Sequence, residues 1–136
     1  MSHYTEIEIA MSDQAALLAA LARLGFGPKK VEIHEEPHQL YGYQGDMRSQ
    51  KAHIILRRRY VGSASNDIGF ERLEDGTFKA HISSFDRSTQ YGDPWIGKLK
   101  QGYGVEKAKA EARRRGYRAK EETLPNGRIR LTMSRR

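Results

Sequence analysis

The sequence contains no cysteine, which excludes disulfides, thiol nucleophiles and cysteine-ligated metal centres together. No apolar run approaches the roughly 20 residues that span a bilayer, and the opening MSHYTEIEI has no apolar secretory core. A cytoplasmic protein without membrane contact is the expectation. Signatures of common chemistry are missing too. Ser63, Ser65, Ser83 and Ser84 lack Gly-x-Ser-x-Gly surroundings, and Gly102-x-Gly104 does not follow a strand as a dinucleotide fingerprint must. Asp67, Asp75, Asp86 and Asp93 fall at turns or helix starts, where carboxylates have structural duties, and no acid–base pair stands out. The chain therefore reads as non-enzymatic, with no cofactor.

What is present fits a single domain over residues 1–136, large enough to bury roughly two-thirds of its unfolded surface. The net charge of +7 favours acidic partners, although 17 acidic residues are interleaved with 24 basic ones, as in an ordinary soluble surface.

Two turns organise the middle of the chain. Glu74-Asp75-Gly76 separates two alternating runs, and Asp-Gly there predicts a hairpin because glycine accepts the positive φ of a tight turn. Ile68, Phe70, Phe78, Ala80 and Ile82 then share the covered face. Before it, residues 52–61 read as the most apolar strand, running into Arg57-Arg58-Arg59. At the N-terminus, residues 3–11 alternate as a half-buried strand. Ser12 or Asp13 then caps a helix carrying Leu17, Leu18, Leu21 and Leu24, which ends at Gly25 with Phe26 folding back. Residues 30–35 alternate again. Residues 37–48 read as a loop with a short edge strand near 39–43, and residues 86–92 as a polar connection.

Asp93-Pro94-Trp95 starts a second helix, with Trp95, Leu99 and Tyr103 on one stripe. Gly102 and Gly104 predict a kink or a break in it. Pro125-Asn126-Gly127 closes a last hairpin. Strand–helix–strand–strand thus occurs twice, and the expected fold is α+β: two such units forming one mainly antiparallel sheet, with two helices packed on one face.

Several stretches resemble the hypothetical chloroplast reading frame thirty-five family of plastids, cyanobacteria, scattered bacteria and phages. They are Met1-Ser2-His3, Leu24-Gly25, Asp67-Ile68-Gly69-Phe70 with Asp75-Gly76, Trp95 with Leu99 and Tyr103, Gly116-Tyr117, and Gly127-Arg128-Ile129-Arg130-Leu131. The resemblance spans nearly the whole chain and departs at the Gly102/Gly104 pair. It implies a shared fold. It also implies an accessory or adaptor role beside an AAA-type ATPase, whose genes often neighbour those of the family.

The candidate contact residues are Arg57, Arg58, Arg59 and Tyr60 with Tyr41 and Tyr43, then Arg113 and Arg114, then Arg128 and Arg130; Arg135-Arg136 forms a third basic cluster. If they converge, phosphate contacts and stacked tyrosines would make a nucleic-acid-binding module. Against that, Arg113 to Arg115 suit a helix C-terminus and strand arginines protect sheet edges. His34 and His38, with Glu35 between them, are weak metal candidates because the i, i+4 spacing converges only on a helix, which Pro37 opposes. His3, His53 and His81 are the remaining histidines. The leading expectation is an accessory protein that binds another protein, an AAA-type ATPase or a larger assembly. The alternative is the nucleic-acid module, and an exposed sheet edge leaves a homodimer open.

Overall fold

The computed structural model describes residues 3–135 and confirms an α+β fold; Met1, Ser2 and Arg136, named above, lie outside the described residues. The elements run β1 (Tyr4–Ile9), α1 (Gln14–Arg23), β2 (Glu32–Tyr41), β3 (Met47–Leu56), α2 (Arg58–Val61), β4 (Ile68–Arg72), β5 (Phe78–Ser83), α3 (Ser84–Ser88), α4 (Asp93–Arg114), β6 (Tyr117–Thr123) and β7 (Ile129–Arg135). Five strands form an antiparallel sheet in the order β1-β5-β4-β3-β2.

The β4–β5 hairpin forms where Asp-Gly predicts it, with Gly76 at φ 87° and Leu73 N–H donating to the Thr77 carbonyl at 2.8 Å. Ile68, Phe70, Phe78, Ala80 and Ile82 have no solvent exposure. They join Ile9, Ile54 and Leu56 beneath Leu17, Ala20 and Leu21 of α1 and Ile96, Leu99 and Tyr103 of α4, so both long helices share one face. Asp13 caps α1 by accepting the Ala16 N–H at 3.0 Å. At its other end Phe26 N–H reaches the Leu21 carbonyl and Gly25 N–H the Ala22 carbonyl, a Schellman motif that turns buried Phe26 onto the core.

Several local expectations change. β3 ends at Leu56 rather than running to Val61, and Arg58–Val61 is a helical turn. β2 is continuous from Glu32 to Tyr41, where a loop from Pro37 was expected. An edge strand tolerates proline, and Pro37 falls within the register shift between Ile33 and His38, where no Cα partner on β3 is assigned to it. The polar connection contains the short helix α3, capped by Ser83. α4 runs unbroken through both glycines. A Cβ on Gly102 would stand 3.3 Å from Arg23 Cδ and 3.5 Å from Ala20 Cβ, so that glycine lets α1 and α4 approach. Tyr103 Oη accepts from Ser12 N–H and Asp13 N–H, tying α4 to the start of α1.

The α+β class stands, but β6 and β7 pair only with each other instead of joining the main sheet. None of their residues is fully buried; Tyr117, Ala119, Ile129 and Leu131 are half-buried, on alternate positions of a hairpin that packs against α4. Polar links hold them to the helices: Arg23 pairs with Glu121 at 2.7 Å and Gln101 donates to the Gly127 carbonyl.

On the sheet's other face, the β2–β3 arm folds back so that Leu40 and Ala52 pack with Ile55 and Tyr4. The arm rests on Gly69, where a Cβ would lie 2.5 Å from Ala52 Cβ and 3.0 Å from Leu40 Cδ2. Overpacking at that point strains the fold. Gly69→Ala is therefore expected to lower stability by about 1–3 kcal/mol in urea denaturation, while Gly104→Ala, where nothing lies within 4 Å of the added Cβ, leaves it unchanged or raised.

Candidate functional site

Gly62 to Asp67 form a loop, and its last member is almost completely buried, with 1 % exposure. Asp67 spends both carboxylate oxygens on segments far away in sequence. Oδ2 accepts from Tyr41 N–H and from Arg57 Nη1, each at 2.8 Å; Oδ1 accepts from Arg58 N–H at 2.7 Å. Its backbone N–H donates to the Tyr41 carbonyl and its carbonyl accepts from Tyr4 Oη. Burial, then the nearby Asp67 charge, push the Tyr4 hydroxyl above its ordinary range.

Arg57 is locked in turn. Nε and Nη2 grip Glu32 as a fork, both at 2.8 Å, and Nη1 also donates to the Gln39 carbonyl at 3.0 Å. The bond to Glu32 is the largest cause raising the guanidinium above its ordinary value, and it holds the Glu32 carboxyl down at about 2. Behind this, Asn66 donates its N–H to Asp86 Oδ2 at 3.1 Å and accepts from Tyr43 N–H at 3.0 Å. Ser83 Oγ donates to the same Asp86 oxygen at 2.8 Å. Two separate stretches, residues 40–48 and 57–61, are thereby fastened to one buried loop.

Between them lies a cleft of about 440 Å³ lined by Glu32, Tyr41, Arg57, Arg58, Arg59 and Asp67. Tyr41, Tyr43, Tyr60 and Met47 are all exposed. The Arg59 guanidinium lies 4.8 Å from the Tyr60 ring centre, and Arg57 lies 5.8 Å from that of Tyr41. Arg57, Arg58 and Arg59 line one cleft with Tyr41, at a helical turn and not on a strand. Arg57 is a brace, leaving Arg58 and Arg59 as the cations facing the cleft.

The other basic residues do not line it. Arg113 and Arg114 occupy the last turn of α4, where Arg114 pairs with Glu111 at 3.3 Å, and Arg128 and Arg130 belong to the β6–β7 hairpin and its turn. His34 and His38 stack with ring centres 3.7 Å apart, and His34 Nε2 meets Glu32 at 2.9 Å. His53 accepts from Arg72 N–H, and His81 meets Glu71 at 2.8 Å. Among the described residues no group of three or more histidine, aspartate or glutamate side chains is placed to hold a metal. Asn66 and Asp67 were legible only as turn residues; the signal was three polar residues, Ser65-Asn66-Asp67, directly before an apolar strand.

A family profile described as a protein of unknown function, DUF1257, matches residues 20–132, and the chain belongs to this family. No curated protein and no solved structure gives a significant match. No described helix is long and apolar enough to cross a membrane.

Removing the Asp67 carboxylate leaves Tyr41 N–H and Arg58 N–H without their acceptor and takes one of three partners from Arg57. Asp67→Ala should cost about 3–5 kcal/mol of stability by chemical denaturation. The Glu32 carboxyl, held at about 2 against an ordinary 4.5, makes its contribution in full above pH 4.5 and loses it as pH falls through about 2. A Glu32→Gln variant is expected to show a shallower loss of stability across that acid window than the parent, read from unfolding curves at successive pH values.

Proposed function

We propose that this member of a family of unknown function is a non-catalytic accessory protein that binds another protein through the Arg58, Arg59, Tyr60, Tyr41 and Tyr43 surface. The observation that carries the reading is the convergence of the two segments on buried Asp67. Tyrosine and arginine are the residues enriched at binding hot spots, since each offers a large, stiff contact area with a polar end. Here they ride on a base whose geometry is fixed before any partner arrives, which lowers the ordering cost of association. The carboxylate pair at this site is spent on holding Arg57, which suits a brace better than proton transfer. With Arg58 and Arg59 at the cleft, the partner surface is acidic.

The likeness to the chloroplast reading frame thirty-five family extends the reading to an AAA-type ATPase, or an assembly containing one, as that partner. The charge and the tyrosines also suit nucleic acid, so the test separates the two. Affinity capture should compare the parent with Arg58→Glu/Arg59→Glu/Tyr60→Ala and with Arg113→Glu/Arg114→Glu, before and after nuclease treatment. The expected result is a stoichiometric protein partner kept by the parent and the Arg113/Arg114 variant, and weakened at least about tenfold by the cleft variant. Equal capture by all three, or capture that nuclease abolishes, overturns the proposal; the second outcome favours the nucleic-acid reading.

A further inference from the structure

β2 ends the five-stranded sheet, and its extended backbone begins at Val31, directly after the tight 3-10 turn Pro28–Lys30. Between this edge and α1 runs an apolar groove of about 290 Å³, lined in part by Leu18, Ala22, Phe26, Pro28, Val31 and Ile33. Ile33 lies within the strand yet is 54 % exposed. Its partner on β3 is Ile54, a member of the core under the helices, so Ile33 projects to the helix-bearing side, where the groove lies. No charged side chain lines the groove. The turn between two of its lining residues, Pro28 and Val31, carries Lys29 and Lys30. Both are exposed, and neither forms an ion pair among the described residues. Glu35, exposed and likewise unpaired among them, stands further along the strand.

We propose that the groove takes the C-terminal end of a partner protein, its last side chain apolar and seated beside Phe26 and Ile33, its free carboxylate facing Lys29 and Lys30. An extended segment laid against a sheet edge gains main-chain hydrogen bonds, and a pocket beside the edge selects its side chain. The layout fixes the direction. With its carboxylate beside the lysines, at the start of β2, the segment runs antiparallel to the strand. The residues before its last one then pass Glu35, which favours lysine or arginine there. The layout also favours a chain end over an internal stretch. Before Val31 the edge closes into the 3-10 turn, so a segment running this way finds no further extended backbone and meets two ammonium groups instead. A carboxylate both ends a chain and neutralises them. After Ile33 the β2 ladder shifts register, so the regular edge is short and suits a few residues.

This surface is separate from the cleft at Arg58 and Arg59. Glu32, which lines that cleft, precedes Ile33 on the strand and so projects from the opposite face of the sheet.

The test uses the full chain and two arrays of synthetic peptides, one with free C-termini and one with C-terminal amides. The last residue is varied over all types and the preceding ones are randomised; selected peptides are then measured by fluorescence polarisation. The expected ligands appear in the free-acid array alone, end in leucine, isoleucine, valine or phenylalanine, and are enriched in lysine or arginine before it. Lys29→Glu/Lys30→Glu should weaken a selected peptide at least about tenfold, and Ile33→Asp at least about tenfold as well. Arg113→Glu/Arg114→Glu, which reverses the same number of charges elsewhere, should leave it within about twofold. All these changes fall on exposed side chains, and circular dichroism melts verify folding. Absence of ligands in the free-acid array overturns the proposal. So do amides that bind as well as acids, which points to an internal segment, or a selected peptide indifferent to the lysine and Ile33 changes. Sedimentation velocity supplies a last outcome: self-association of the parent that Ile33→Asp abolishes gives the groove to a second copy and overturns the proposal too.

Discussion

One buried carboxylate holds together the part of the molecule most exposed to partners. Asp67 has 1 % exposure and meets three donors from two segments that lie before it in the chain. A buried aspartate is tolerable only if its oxygens are satisfied, so its placement dictates the positions of Tyr41, Arg57 and Arg58 together. The arginine run turns into a helix after Leu56 because Asp67 takes the Arg58 N–H, and the tyrosine-bearing turn lies beside it because the same carboxylate takes the Tyr41 N–H. The shape of the surface follows from the needs of one charge.

The two faces of the sheet are covered by different means. The helices supply a conventional apolar layer, with Leu17, Leu21 and Leu99 without exposure over Phe70 and Phe78. The other face has no helix. There the β2–β3 arm folds over its own sheet, and only a glycine at position 69 lets Leu40 and Ala52 close down. The candidate surface is thus built beside a self-covered face, with polar groups such as Ser83 at the end of β5 and Asp86 in α3 fully buried.

Elements whose cause is local were legible in the sequence. The Asp-Gly and Asn-Gly hairpins, the Asp13 cap and the glycine stop after α1 each depend on residues within one turn of each other. Elements decided by distant partners were not. Pro37 breaks a strand or not according to whether that strand lies at an edge, and only the assembled order puts β2 there. Gly102 weakens an isolated helix, yet in the fold it gives α1 a place to pack. The same holds at the site: three arginines in a row announce charge, but nothing near Arg57 reveals that Glu32 and Asp67, one on each side in sequence, have already claimed it.

The independence of the β6–β7 pair has a kinetic meaning. Its strands bond to each other, none of its residues is fully buried, and half-buried packing against α4, with ion pairs and amide contacts, ties it to the rest. Free energy of opening tracks the apolar area that opening exposes, and here that area is small. The backbone amides of Tyr117 to Arg135 would therefore exchange with solvent by a local route while those of β4 and β5 wait for the whole core to come apart. On this reasoning the C-terminal hairpin would open as a separate unit, leaving in place the sheet that carries the candidate surface.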